Sequence, residues 1–136
     1  MANYKIEDIE GIGEVIGKKL REAGIKDTDA LLAACGTSKQ RKELAEKTGL
    51  SEKQILKFAN MADLYRIDGV GSEYSELLEA AGVDTVPELA LRNPSNLAKT
   101  LAEVNEAKKL TRRVPSETEV AKWIEQAKKL PRVLQY

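Results

Sequence analysis

Few residues in this 136-residue chain could carry chemistry, and their types narrow the options at once. There is no histidine, which removes the commonest general base, the commonest metal ligand and the side chain that ordinarily titrates near neutrality. Cysteine occurs once, at Cys35, so neither an intramolecular disulfide nor a cysteine cluster for zinc or iron–sulfur can form. The Asp and Glu residues show no spacing of a carboxylate pair or a metal site. Gly11-Ile12-Gly13 lacks the strand context and third glycine of a dinucleotide-binding loop. Nucleophile, base and metal ligand cannot be nominated together, so the sequence predicts no enzyme, no cofactor and no small-molecule substrate.

What remains is a chemistry of binding. Two turns, Gly11-Ile12-Gly13 and Gly69-Val70-Gly71, place glycines where the backbone can bend sharply and approach a ligand closely. Each leads into a helix whose first N–H groups and partial positive charge suit a phosphate oxygen. Basic side chains follow the first turn as Lys18, Lys19 and Arg21. A second concentration, Lys108, Lys109, Arg112 and Arg113, packs four charges into six residues. Residues 99–136 hold nine Lys and Arg against five Glu, a local charge of +4.

The elements that must position these groups come from an internal repeat. At a shift of 58, Ile9, Gly11, Gly13, Leu20, Ala23, Gly24 and Leu31 fall on Ile67, Gly69, Gly71, Leu78, Ala81, Gly82 and Leu89. Further along the shift becomes 65, matching Ser51 with Ser116, Ile55 with Val120, Phe58 with Trp123 and Ala62 with Ala127. The second copy therefore carries about seven extra residues, expected between Val104 and Pro115, where the basic concentration lies. Apolar stripes at i, i+4 and i+7 (Ile16, Leu20, Ala23 and Tyr74, Leu78, Ala81) predict helices. Thr37 with Gln40, Ser51 with Gln54 and Ser116 with Glu119 have capping-box spacing, and Asn93-Pro94 reads as another helix start. No segment alternates as a strand would. The spacing predicts one long helix from Ser51 to about Tyr65, closing the first unit and entering the second.

These motifs resemble the helix-hairpin-helix, two helices joined by a Gly-hydrophobic-Gly hairpin. With Ala23-Gly24-Ile25 and Thr28, or Ala81-Gly82-Val83 and Thr85, the units are similar to those of archaeal recombinase N-terminal domains and the RNA polymerase alpha C-terminal domain. Over its whole length the chain resembles a little-characterised bacterial family of unknown function with tandem hairpins. The expected fold is all-α: two helix-hairpin-helix-containing units of about five short helices each, packed as one compact body. Residues 1–62 form the first unit and residues 63–136 the second, with a basic insertion near 105–115 and an apolar C-terminal tail. The resemblance implies DNA-backbone contacts independent of sequence through hairpin amides, and in some members a monovalent cation held by hairpin carbonyls.

Charge separates the copies. The first hairpin is followed by three basic residues but flanked by Glu10 and Glu14; the second is followed by Glu73, Glu76 and Glu79 and no base. Carboxylates there help the helix and repel a phosphate, so Gly69, Val70 and Gly71 read as structural. Two functions stay open. One is a module that grips a DNA or RNA backbone through Gly11, Ile12, Gly13, Lys18, Lys19, Arg21, Lys108, Lys109, Arg112 and Arg113. Four phosphate contacts in the insertion would give a log–log salt slope of about −3.6. The other is a protein–protein adaptor without a nucleic-acid role, using a helical face or the tail Val133, Leu134 and Tyr136.

Composition sets the frame around both. Charged residues make up 32%, net charge is zero and the pI is near 6.4, so attraction to a polyanion must be local. Aromatic residues are only 4%, which predicts an aliphatic core with Phe58 and Trp123 as anchors and Cys35 as a core residue. With no signal-peptide or membrane-length apolar run, the expected setting is the cytoplasm, away from membranes.

Overall fold

A computed structural model describes residues 3–135; Tyr136, part of the expected apolar tail, lies outside the described residues. After a short 3-10 turn at Ile6–Asp8 come α1 (Glu14–Glu22), α2 (Thr28–Ala34), α3 (Ser38–Thr48) and α4 (Glu52–Leu64). The second half is α5 (Ser72–Ala80), α6 (Val86–Ala90), α7 (Pro94–Lys108) and α8 (Glu117–Lys129). The fold is all-α, and among the described residues the only extended pairing is an isolated bridge between Lys5 and Asp27. Among the described residues, each half has four helices and a lead-in: the 3-10 turn for the first, the end of α4 for the second.

The helix starts follow from local chemistry. Thr37, Ser51 and Ser116 each accept from the N–H three residues on, while Gln40, Gln54 and Glu119 return a bond to the cap's backbone. Asn93 caps α7 with Pro94 as first helical residue, where no intrahelical N–H is required.

Hydrogen bonds repeat at the shift of 58. Ile12 N–H donates to Ile9 at 3.1 Å as Val70 does to Ile67 at 3.1 Å. Ile25 N–H donates to Leu20 at 2.9 Å, matched by Val83 to Leu78 at 2.8 Å. The extra residues of the second half divide between helix and loop. α7 has 15 residues where α3 has 11, residues 111–115 separate Leu110 from Ser116 where Leu50 meets Ser51 directly, and α6, with 5 residues where α2 has 7, takes two back.

The interior forms two apolar clusters. One gathers α1 to α4 around Leu20, Leu31, Cys35, Ile55 and Phe58; the other gathers α5 to α8 around Leu78, Leu89, Leu101 and Trp123. Helix α4 supplies both, with Ile55, Phe58 and Met61 in the first cluster and Leu64 in the second. The C-terminal segment crosses back: Leu134, beyond α8, is buried in the first cluster, so this part of the tail packs on its own chain.

Candidate functional site

Each glycine turn is fixed from behind by a ring. Gly11 (φ +91°) and Gly69 (φ +94°) take a conformation that L side chains rarely adopt. A Cβ at Gly11 would sit 3.5 Å from Phe58, and one at Gly69 only 3.1 Å from the Trp123 Nε1. Ile12 and Val70, between the glycines, are buried. Gly13 and Gly71 start α1 and α5 without a side-chain cap. The inner face of each turn is thus packed, and its outer face presents backbone.

The surroundings of the turns differ. The amide of Asp68 donates to the Gln126 Oε1 at 2.8 Å, and Gln126 Nε2 donates to the Asp68 carbonyl at 3.2 Å, so α8 grips the second turn by its backbone. The position aligned with Gln126 is Met61, which is buried and offers no such bond. At the first turn Glu10 reaches across to α5, where Ser72 Oγ donates to its carboxylate at 3.4 Å. A negative charge from the first turn therefore lies beside the helix that the second turn opens.

The basic residues fall into separate groups. On α1, Lys18 and Arg21 line a shallow depression with Glu7, Glu14 and Glu22, whereas Lys19 lies with Lys47 and Thr48 against α3. Arg21 is committed: its guanidinium donates twice to Glu7, at 2.6 and 2.7 Å. That bond holds the Glu7 carboxyl well below its ordinary range, at about 2. Lys18 and Lys19 are exposed and form no ion pair with a described residue.

In the insertion, Lys108 ends α7 and Lys109 follows in the left-handed region at φ 52°, ψ 49°. It is the only non-glycine residue with positive φ among the described residues. Asn105 then shapes the loop, donating to the Thr111 carbonyl at 3.1 Å and accepting from its N–H at 2.9 Å. Arg113 donates to both oxygens of Glu119, at 2.6 and 2.9 Å, which draws that carboxyl down to about 2. Lys108, Lys109 and Arg112 are exposed and make no ion pair with a described residue.

Of the insertion's cations, Lys108 lies near the first turn. It shares with Glu10 and Gly11 a cleft of about 370 Å³ between the halves, which Lys57, Glu76 and Glu79 also line. Burial raises the pKa of Glu76, helped by the charge of Glu10, and burial likewise raises that of Glu79. In sequence these acids follow the second turn, but in the fold they converge on the first. No local signal marks this convergence, because it arises only where α5 packs beside the first turn.

Cys35 is fully buried, and burial pushes its thiol up to about 12. Among the described residues no cluster of carboxylates and cysteine is placed to hold a metal ion, and no helix is long and apolar enough to cross a membrane. No curated protein and no solved structure matches the chain. Residues 10–130 match the family described as a domain of unknown function, DUF4332, and the chain belongs to that family.

Proposed function

Membership of a family without an assigned activity leaves the surface to decide, and we propose that this protein is a non-catalytic module that binds nucleic-acid backbone without reading its sequence. The reading takes the two glycine turns as helix-hairpin-helix units and the cytoplasm as their setting. The observation that carries it is that five of the seven nominated cations, Lys18, Lys19, Lys108, Lys109 and Arg112, stand exposed with no ion pair to a described residue. The uncapped start of α1 at Gly13 adds amides to them. Arg21 and Arg113 are already paired with Glu7 and Glu119, which offsets their charge toward a phosphate. The interface is accordingly weak and strongly salt-dependent.

Binding to a labelled duplex and a single strand, measured at roughly 50 and 200 mM salt, tests this. Replacing Lys108, Lys109 and Arg112 with Ala is expected to weaken every sequence alike. On a duplex it should also flatten the salt slope by about 0.9 for each phosphate that is no longer neutralised. Absence of binding at the lower salt overturns the proposal. A second reading, a protein adaptor, is favoured by the carboxylates of Glu10, Glu76 and Glu79 around the first turn, which suit a basic partner. It predicts a stable protein complex and no affinity for either nucleic acid.

A further inference from the structure

The segment after α8 is held in a built cradle on the other half of the molecule. Leu134 is 2% exposed within the first cluster. The next residue, Gln135, donates its N–H to the Gly36 carbonyl at 2.8 Å. Arg41, itself only 6% exposed, donates to the Cys35 carbonyl at 2.9 Å and to the Gln135 carbonyl at 2.8 Å. At Gly36 an added Cβ would lie 3.6 Å from the Val133 carbonyl and 3.1 Å from Gln40. The cradle therefore pairs with both backbone groups of one residue, Gln135, and takes the aliphatic side chain before it into the core. That is how a protein binds a short peptide in extended form.

The occupant is joined to α8 by a short tether. Leu130 ends α8 in extended conformation, and Pro131 is tied by its carbonyl to Arg66 at 2.7 Å. Residues 132–135 follow that tie, with Arg132 exposed. Among the described residues, the strap gives the cradle the buried Leu134 side chain and the backbone N–H and carbonyl of Gln135. The same segment from another molecule offers the same Leu, N–H and carbonyl.

We propose that this cradle is a site for the C-terminal segment of a second copy of the chain, and that two copies associate by exchanging their straps. Four residues span at most about 14 Å, so the cradles must face one another across a twofold axis. Within one molecule the tether supplies the segment at an effective concentration in the millimolar range, so exchange grows as protein concentration approaches it. The inference is independent of nucleic-acid binding.

Complementation between two full-length variants tests it. Leu134→Arg spoils the strap and leaves the cradle; Gly36→Leu blocks the cradle and leaves the strap. Circular dichroism first checks that each is folded, with Leu134→Ala replacing Leu134→Arg if it is not. Light scattering should find each variant alone monomeric and an equimolar mixture forming a species of twice the chain mass as concentration rises toward about 1 mM. Cys35, beside the cradle, supplies a second readout. Its labelling by a thiol reagent should be at least about tenfold faster in the strap variant, and should slow when the cradle-blocked variant is added. A mixture that stays monomeric with Cys35 labelling unchanged overturns the proposal.

Discussion

The two glycine turns share one backbone frame and differ in what seals them. In the first half the chain ahead of the turn is clasped by backbone: Thr28 N–H donates to the Tyr4 carbonyl at 2.9 Å, and Ile6 N–H to that of Lys26 at 3.0 Å. In the second half the residue aligned with Thr28 is Val86, and its N–H instead donates to the Asp63 carboxylate at 2.8 Å. Asp63 also pairs with Arg66 at 2.8 Å, both side chains almost wholly buried, and Arg66 holds the Pro131 carbonyl. Gln126 adds its grip on Asp68. The same turn occurs twice, and side chains outside it leave one half backbone-sealed and the other charge-sealed.

The sharpest way to break this contrast is at the buried pair. Removing one partner of a buried ion pair strands a charge, at a cost of about 3–5 kcal/mol. Asp63→Ala is expected to lose about that much in a denaturant titration, since it also leaves the Val86 N–H without its acceptor. The aligned residue in the first half is Lys5, which is exposed; Lys5→Ala should stay within about 0.5 kcal/mol. Equal effects would mean that the two halves are sealed alike.

A smaller difference is expected at the turns themselves. Alanine at Gly11 or Gly69 must adopt a strained positive φ, costing about 1–2 kcal/mol. At Gly69 the methyl also crowds Trp123 at 3.1 Å, whereas at Gly11 the 3.5 Å to Phe58 is an ordinary contact. Gly69→Ala should therefore be the more destabilising by about 1 kcal/mol, in line with overpacking a filled core. The reverse order, read from thermal or chemical unfolding, would show that the Trp123 ring yields more easily than the geometry implies.

Much of the frame was legible in the sequence because it rests on local signals. The glycine pairs, the capping boxes and the aligned Phe58 and Trp123 each announce an element or a core position. The insertion was legible too, although it divides between a longer α7 and residues 111–115. What was not legible depends on partners distant in sequence. Arg21 and Arg113 look like free cations until Glu7 and Glu119 are seen against them, and Asp63, three residues before Arg66, looks like any polar helix position. Lys109 sits between these cases: Gly49 ends α3 at φ +78° and Lys109 ends α7 at φ 52°, both in the left-handed region. Glycine removes that strain, so Lys109→Gly should stabilise the fold by about 1 kcal/mol, a gain that unfolding measurements resolve.

The weakest contrast lies in the carboxylates, and its sign differs between two sets. Glu7 and Glu119 are held at about 2, against an ordinary value of 4.5, by Arg21 and Arg113. Their folded pKa is depressed, so their contribution is present above 4.5 and is lost as pH falls from there toward 2. Both pairs are solvent-exposed, which keeps the loss small and salt-sensitive. Glu76 and Glu79, in the cleft between the halves, are shifted upward by burial. The folded state binds protons there more readily, so stability falls as pH rises through their folded pKa values. The two sets bracket a shallow optimum in the mildly acidic range. Glu7→Gln with Glu119→Gln should flatten the acid side; Gln at 119 also keeps the spacing of the Ser116 capping box. Glu76→Gln with Glu79→Gln should raise stability at pH 7 more than at pH 4. If both double variants follow the wild-type pH profile, neither the exposed pairs nor the cleft carboxylates distinguish one part of the molecule from another.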